Sequence, residues 1–219
     1  MASQIKNVIF DLGGVLIDWN PEYLYRKLIP DTTERQRFLT EICTPAWHTR
    51  HDEGVPFEQN AKPLLEKYAD DKSITSWILA WRDRFNEMNK RPISGTVDVL
   101  NELRAAQTHV FALTNWSAEF FPPPRERFPF LSAFEDIVVS GIERVAKPDP
   151  KIYEILLERT KINPEESVFI DNMNYNLPPA AQLGLKTVLF VTPEALRTDL
   201  VNLGLPLSSS LPLLKKVCP

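Results

Sequence analysis

The sequence predicts an α/β protein with a parallel-sheet core and an inserted helical segment, and two observations carry that prediction. Short apolar runs recur, each ending in a polar residue: Val8-Ile9-Phe10 before Asp11, Val110 to Leu113 before Thr114, and Val168-Phe169-Ile170 before Asp171. Strands of a parallel sheet are buried on both faces and read as unbroken hydrophobic runs of this kind. Stretches with apolar residues at helical spacing alternate with them, the pattern of right-handed crossover units.

Val8 to Phe10 reads as a central strand. From about Asp18 to Arg91 no strong strand signal stands out, and the apolar residues fall at helical spacing. Tyr23, Leu24 and Leu28 mark one helix, and Phe38, Leu39 and Ile42 a second. Phe57, Ala61, Leu64, Leu65 and Tyr68 mark a third; Ile74, Trp77, Ile78, Trp81 and Phe85 mark a fourth. Cys43 to Gly54 breaks this pattern with polar and aromatic residues. After Pro92 the chain alternates: helix Val97 to Leu103, strand Val110 to Leu113, a short strand Ile137 to Val139, and helix Ile152 to Arg159. Strand Val168 to Ile170, helix Ala180 to Leu183 and strand Thr187 to Val191 follow. Pro193 to Leu203 reads as a last amphipathic helix with Thr192 as its cap. Pro122-Pro123-Pro124 reads as a short stiff extended segment near the rim of the site, and Leu207 to Pro219 as a loosely attached end.

Composition narrows the class. At 219 residues, with 43% hydrophobic and 25% charged residues, the chain is an ordinary globular protein of one domain or a core plus an insert. The formal net charge of -4 lacks the basic face that nucleic acid requires. No apolar run approaches the ~20 residues of a membrane span, and Met1 to Lys6 lacks the apolar core of a signal peptide. Cys43 and Cys218 lie far apart, so no disulfide framework is expected. The expected setting is cytoplasmic, as a monomer or homodimer acting on a small molecule.

The chemistry sits where the strands end. Open α/β sheets bind ligands at the carboxyl ends of their strands, which is where Asp11, Thr114-Asn115 and Asp171-Asn172 fall. A carboxylate there is costly to bury unless a cation or donors meet it, and Gly13-Gly14 lets the backbone turn tightly beside it. Each group alone has an ordinary reading as well: Asp11 as a helix cap, Thr114 as a strand end, Asp171-Asn172 as turn formers. Lys147, within Ala146-Lys147-Pro148-Asp149-Pro150, reads alone as an exposed loop lysine.

Together and in this order, the four motifs resemble those of the haloacid dehalogenase superfamily of hydrolases, most of whose members are phosphatases. The resemblance covers most of the chain and is greatest to members with a small helical cap after the first motif. It implies a Rossmann-like parallel-sheet core of residues 1–17 and 92–219 with an inserted α-helical cap of residues 18–91. It also implies Mg2+-dependent hydrolysis of small phosphomonoesters, sugar phosphates among them, through an aspartyl-phosphate. The implied roles are Asp11 as nucleophile and metal ligand, the Gly13 carbonyl as a second ligand, and Asp171-Asn172 completing the metal site. Thr114 and Asn115 would donate to the transferred phosphoryl, and Lys147 would bridge Asp11 and the phosphate. A carboxylate attacking a dianion needs such positive charge around it.

Two departures stand out. Many family phosphatases carry a second aspartate two residues after the nucleophile, as acid and then base, and here that position is Gly13. General acid–base help is worth roughly 10²–10⁴ in rate. The fourth motif usually pairs two acids, and here the second is Asn172, so magnesium should bind more weakly. The rival dehalogenase branch needs no metal, but it typically has an aromatic residue where this chain has Gly13 and a threonine where it has Val15. It also has two serines where this chain has Asp171-Asn172. A catalytically weakened phosphate-binding protein is the third reading. In the cap, Trp47, His48, Arg50 and His51 are candidates for substrate contacts, with Trp47 more readily read as cap core; Trp116 could line the site or pack beneath the cap. A cap histidine, titrating near neutrality, could replace the missing acid.

Overall fold

The computed structural model describes residues 4–121 and 126–208. The triproline segment expected at Pro122 to Pro124, the terminal residues from 209 and Cys218 therefore lie outside the described residues. In chain order the strands are β1 (Asn7–Phe10), β2 (Ile17–Trp19), β3 (Asn89–Pro92), β4 (His109–Thr114), β5 (Asp136–Val139), β6 (Ser167–Asp171) and β7 (Lys186–Leu189). Five of them form one sheet in the order β5-β4-β1-β6-β7, every neighbouring pair parallel.

Alternation within the strands explains two apolar layers. A single helical turn, α7 (Ser140–Glu143), follows β5, and Ile9, Phe111, Leu113, Val138 and Phe169 meet Ile152, Tyr153 and Leu156 of α8 (Pro150–Thr160) and Leu177 and Ala180 of α9 (Leu177–Gln182). Val8, Phe10, Val110, Ala112, Val168 and Ile170 join the second layer, with Val99 and Leu103 of α6 (Ser94–Ala105) and Leu196 and Leu200 of α10 (Pro193–Asn202). Burying one side chain of this size is worth roughly 1.5–3 kcal/mol, so these layers dominate the stability of the sheet. Thr192 caps α10 by accepting from the Ala195 amide.

Between β2 and β3 the chain is helical: α1 (Glu22–Leu28), α2 (Thr32–Arg37) running into a π-helical turn at Phe38–Ile42, α3 (Pro45–Asp52), α4 (Phe57–Lys67) and α5 (Lys72–Asp83). Tyr25, Phe38, Trp77 and Trp81 pack ring on ring at its centre. Two expectations change here. The segment does contain strand, because β2 and β3 pair antiparallel, Ile17 with Pro92 and Trp19 with Asn89. Three or four residues are too few to show alternation. Cys43 to Gly54 is also not a break, since most of it is α3, started by Thr44, which accepts from the Trp47 amide, and by Pro45 at the first position. Its inward face is largely polar, with Trp47, His51 and Asp52 buried, so an apolar stripe does not mark it. The start of the expected loose end is tied down: Ser208 donates to Glu102 at 2.8 Å, and Arg197 binds both Ser208 and Glu102.

Candidate active site

Register brings the two strand-end carboxylates together. Phe10 pairs with Ile170, so the next residues, Asp11 and Asp171, stand side by side on adjacent strands, which lie about 4.8 Å apart. Both are buried, and two such charges repel unless a cation lies between them. Lys147 is that cation. Its Nζ donates to Asp11 Oδ1 at 2.9 Å, to Asp171 Oδ2 at 2.6 Å and to the Leu113 carbonyl at 2.9 Å, above the ring of Phe169. Burial alone would lower the lysine pKa, but the charges of Asp11 and Asp171 hold it above the usual value. Lys147 is thus a buried ammonium with all three protons engaged, not a loop lysine.

The trio is held from behind. The Asn115 carboxamide donates to the Lys147 carbonyl at 2.9 Å and accepts from the Lys147 amide at 2.8 Å. Both ends of its side-chain amide thus fix the Lys147 backbone beside the place where the resemblance expects the phosphoryl group. Thr114 ends β4 almost fully buried, with its hydroxyl unpartnered, and it does not line the open cleft. Asp171 Oδ1 accepts from the Met173 amide at 2.7 Å, and Oδ2 accepts from Asn176 Nδ2 at 3.0 Å. Asn176, in turn, accepts on its carbonyl from the Tyr153 hydroxyl at 2.6 Å. Sequence reasoning passed over Asn176. An amide five residues past a strand-end aspartate, at the start of a helix, was the available signal.

The loop after β1 folds tightly: the Leu16 and Ile17 amides both donate to the Leu12 carbonyl, and the Gly14 amide donates to the Ile17 carbonyl. Gly14 has φ +78°, and a Cβ placed there would lie 2.5 Å from Asn172 Nδ2. Asn172 is therefore packed against this loop, next to Asp11 in the cleft. Gly14→Ala should lower stability by about 1–3 kcal/mol, the cost of a strained left-handed residue plus a displaced Asn172. Urea unfolding measures it, and a variant as stable as the parent would show that the loop relaxes freely.

Above the trio opens a cleft of about 440 Å³ whose lining includes Asp11, Gly13, His48, Trp116, Lys147 and Asn172. His48 and Trp116 are thus placed as cleft residues. Trp47 and Arg50 are not: Trp47 lies under α3, donating Nε1–H to the Asn60 carbonyl and packing edge-on against Trp81, while Arg50 points outward and is exposed. His51 is fully buried between Val55 and Asn60. Helical geometry explains the split, because residues two apart on α3 face different sides. Asp52, which the sequence reading did not single out, also lines the cleft.

The donor set suits a hard cation. Burial, only partly offset by Lys147 and reinforced by Asp171, pushes Asp11 up to about 6, so the trio is short of positive charge. The available donors are oxygens: the two carboxylates, the Gly13 backbone and the Asn172 and Asn176 amides, with Asn176 Oδ1 buried and unpartnered. Magnesium prefers such ligands. Among the described residues no three acidic, histidine or cysteine side chains converge on one point, so the set is less anionic than a full carboxylate cage.

Comparison with known proteins agrees with this arrangement. Acyl-CoA dehydrogenase family member 10 of Mus musculus is 33% identical over 94% of this chain, which spans only 20% of that protein. Sesquiterpene phosphatase astK of Aspergillus oryzae is 26% identical, over 84% of this chain and 89% of its own length. Among solved structures, a HAD family enzyme of Bacteroides thetaiotaomicron, in complex with magnesium and inorganic phosphate, superposes with a TM-score of 0.66 at 25% identity, covering 86% of this chain and 95% of that one. The family model for haloacid dehalogenase-like hydrolases matches residues 5–184, and the chain belongs to that family.

Proposed function

We propose that the chain hydrolyses small phosphomonoesters in a magnesium-dependent reaction, with Asp11 as the nucleophile. The observation that carries the reading is the Lys147 ammonium joined to Asp11 at 2.9 Å and Asp171 at 2.6 Å on the floor of an open cleft. The Asp11 oxygen that Lys147 does not hold attacks phosphorus, the alcohol leaves, and water then releases phosphate and restores the carboxylate. Lys147 keeps Asp11 ionised for attack and offsets the charge gathering on the phosphoryl oxygens. Asn115 and Asn176 act through others, fixing Lys147 and Asp171. A magnesium ion held by Asp11, the Gly13 carbonyl, Asp171 and Asn172 would supply the remaining positive charge. The helical segment of residues 18–91, hinged on the β2–β3 ribbon, serves as the cap. It contributes aromatic walls from Trp19 and Trp81, which favour substrates with a flat or hydrophobic face.

Dehalogenation is the competing chemistry within the family. The chain offers Gly13 where that branch uses an aromatic residue and keeps a buried Asp171 where that branch has serine, which favours phosphorus over carbon. The test is a screen of sugar, aryl and apolar phosphomonoesters with and without magnesium, beside 2-haloacids assayed for halide. Magnesium-dependent phosphate release is the expected result. Halide release without metal, and no phosphate release, would overturn the reading.

Asn172 gives a graded check. Asn172→Asp adds a carboxylate beside the cation and should raise magnesium affinity about tenfold, ~1.4 kcal/mol. Without metal the variant should be less stable, since the new charge repels Asp11 and Asp171. Magnesium titrations of melting temperature and of activity, for both forms, measure the two effects. An unchanged magnesium dependence would place Asn172 outside the metal's ligands.

A further inference from the structure

Gly13 leaves the loop after β1 without a side chain to protonate a leaving alcohol, and Lys147 cannot do it, since its three protons are bound to Asp11, Asp171 and Leu113. Among the cleft-lining residues one carboxyl remains. Asp52, at the end of α3, is 6% exposed, and its Oδ1 is buried without a partner. Its Oδ2 lies 3.4 Å from His48 Nε2, one turn earlier on the same helix. The His48 ring is stacked against Trp19 and tilted against Trp81, each at 5.2 Å, which fixes its plane.

The position is rigid on the core side as well. Gly54, two residues on, has φ +86° and comes so close to the Gly141 carbonyl that a Cβ would lie 2.7 Å from it. The Phe57 amide donates to Glu119 Oε2 at 2.7 Å, tying the start of α4 to the loop after β4. Both contacts seat the end of α3 on the core, with Asp52 facing the cleft that holds Asp11.

We propose that Asp52 supplies the proton transfer that Gly13 cannot, as acid to the leaving alcohol and then as base to the hydrolytic water, with His48 as its positioning partner. This rests on the phosphatase reading above. In the first half-reaction the bond from phosphorus to the ester oxygen breaks as the Asp11–phosphorus bond forms, and the Asp52 carboxyl gives its proton to the departing oxygen. In the second, the Asp52 carboxylate takes a proton from water as the water oxygen bonds to phosphorus. The Asp11–phosphate bond then breaks, returning phosphate, the Asp11 carboxylate and the Asp52 carboxyl.

The electrostatics match the first role. Burial pushes Asp52 up to about 8, against the pull of Lys147 and with a small push from Glu53, while burial pushes His48 down to about 4. Near neutral pH the pair is a protonated carboxyl beside a neutral imidazole. The other titratable groups around it are Lys147 and Asp11 on the floor, Cys43 in the cleft lining, His51 behind His48, and Tyr175, in the loop after β6, which feels the Asp52 charge.

The experiment compares the wild type with Asp52→Asn and His48→Gln on an alkyl phosphate and on p-nitrophenyl phosphate, whose leaving group needs no proton. Asp52→Asn should lose roughly 10²–10³-fold in kcat/KM on the alkyl ester. On the aryl ester it should keep kcat/KM but lose kcat, giving a burst of one nitrophenolate per active site before a slow phase. His48→Gln should show the same split, more weakly. The wild-type kcat/KM on the alkyl ester should fall above about pH 8, the Asp52 acid then being spent. Thermal melting gives a readout free of turnover. A folded pKa above the unfolded one stabilises below the unfolded value and is lost as pH rises through the folded value. The wild type should therefore lose more melting temperature than Asp52→Asn between about pH 5 and about pH 9. Equal losses on both esters without a burst, or no loss, would overturn the role of Asp52 alone. A wild type inactive on both esters would overturn the phosphatase reading and this inference with it.

Discussion

Asp11→Asn should give a folded protein with no measurable turnover. The substitution keeps the shape and the Lys147 hydrogen bond while removing the attacking charge, and no neighbouring group can replace it. Asp171, the carboxylate beside it, has its oxygens engaged by Lys147, Met173 and Asn176, and Asp52, on the cap side of the cleft, is held as a neutral carboxyl by burial. A loss of roughly 10³-fold or more is expected, about 4 kcal/mol in the barrier at 1.36 kcal/mol per decade. The fold should not suffer. Lys147 would then face one carboxylate instead of two, and a buried carboxylate held up near 6 would become a neutral amide. The measurements are steady-state phosphate release and thermal melting. Activity near that of the wild type would end the covalent mechanism, and melting well below it would mean that the Asp11 charge is part of the fold.

The parts of the site that the sequence made legible are those whose physics is local. Asp11 and Asp171 each follow an unbroken apolar run, and in a parallel sheet consecutive strand ends share one edge, so their convergence followed from the pattern. The link from Lys147 to Asp11 was legible through the order of the motifs alone, since nothing around Lys147 itself distinguishes it from a surface lysine; its second link, to Asp171, was not expected. What escaped depends on long-range geometry. The β2–β3 ribbon joins residues about seventy positions apart through strands of three and four residues. α3 hides its role because it points polar groups inward, contrary to the rule by which helices are read. That same inversion is why Arg50 was expected at the cleft and Asp52 was not, while Trp47 took the core position that was its first reading. On a short polar helix, which residue faces the site is fixed by where its end docks, here Gly54 against the Gly141 carbonyl.

Removing the cation should cost the fold more than removing either anion. Lys147→Met keeps the aliphatic stem over Phe169 but leaves Asp11 and Asp171 adjacent, buried and without a counterion. Breaking a buried ion pair by deleting one partner costs about 3–5 kcal/mol, and for a chain of this size each kcal/mol lowers the melting temperature by about 2–4 °C. A fall of roughly 10 °C is the expected result near neutral pH. It should shrink in acid, where Asp11, already held up by burial, takes up a proton and ends the repulsion. Adding Asp11→Asn to Lys147→Met should restore much of the lost stability, because the second change removes the anion that the first left unpaired. The double-mutant cycle then reads the coupling directly, and a value well above 1 kcal/mol is expected for groups in contact. Additive losses would mean that water or a neighbouring donor already screens the two aspartates from each other. Lys147 would then be a catalytic group with no share in holding the strand ends together.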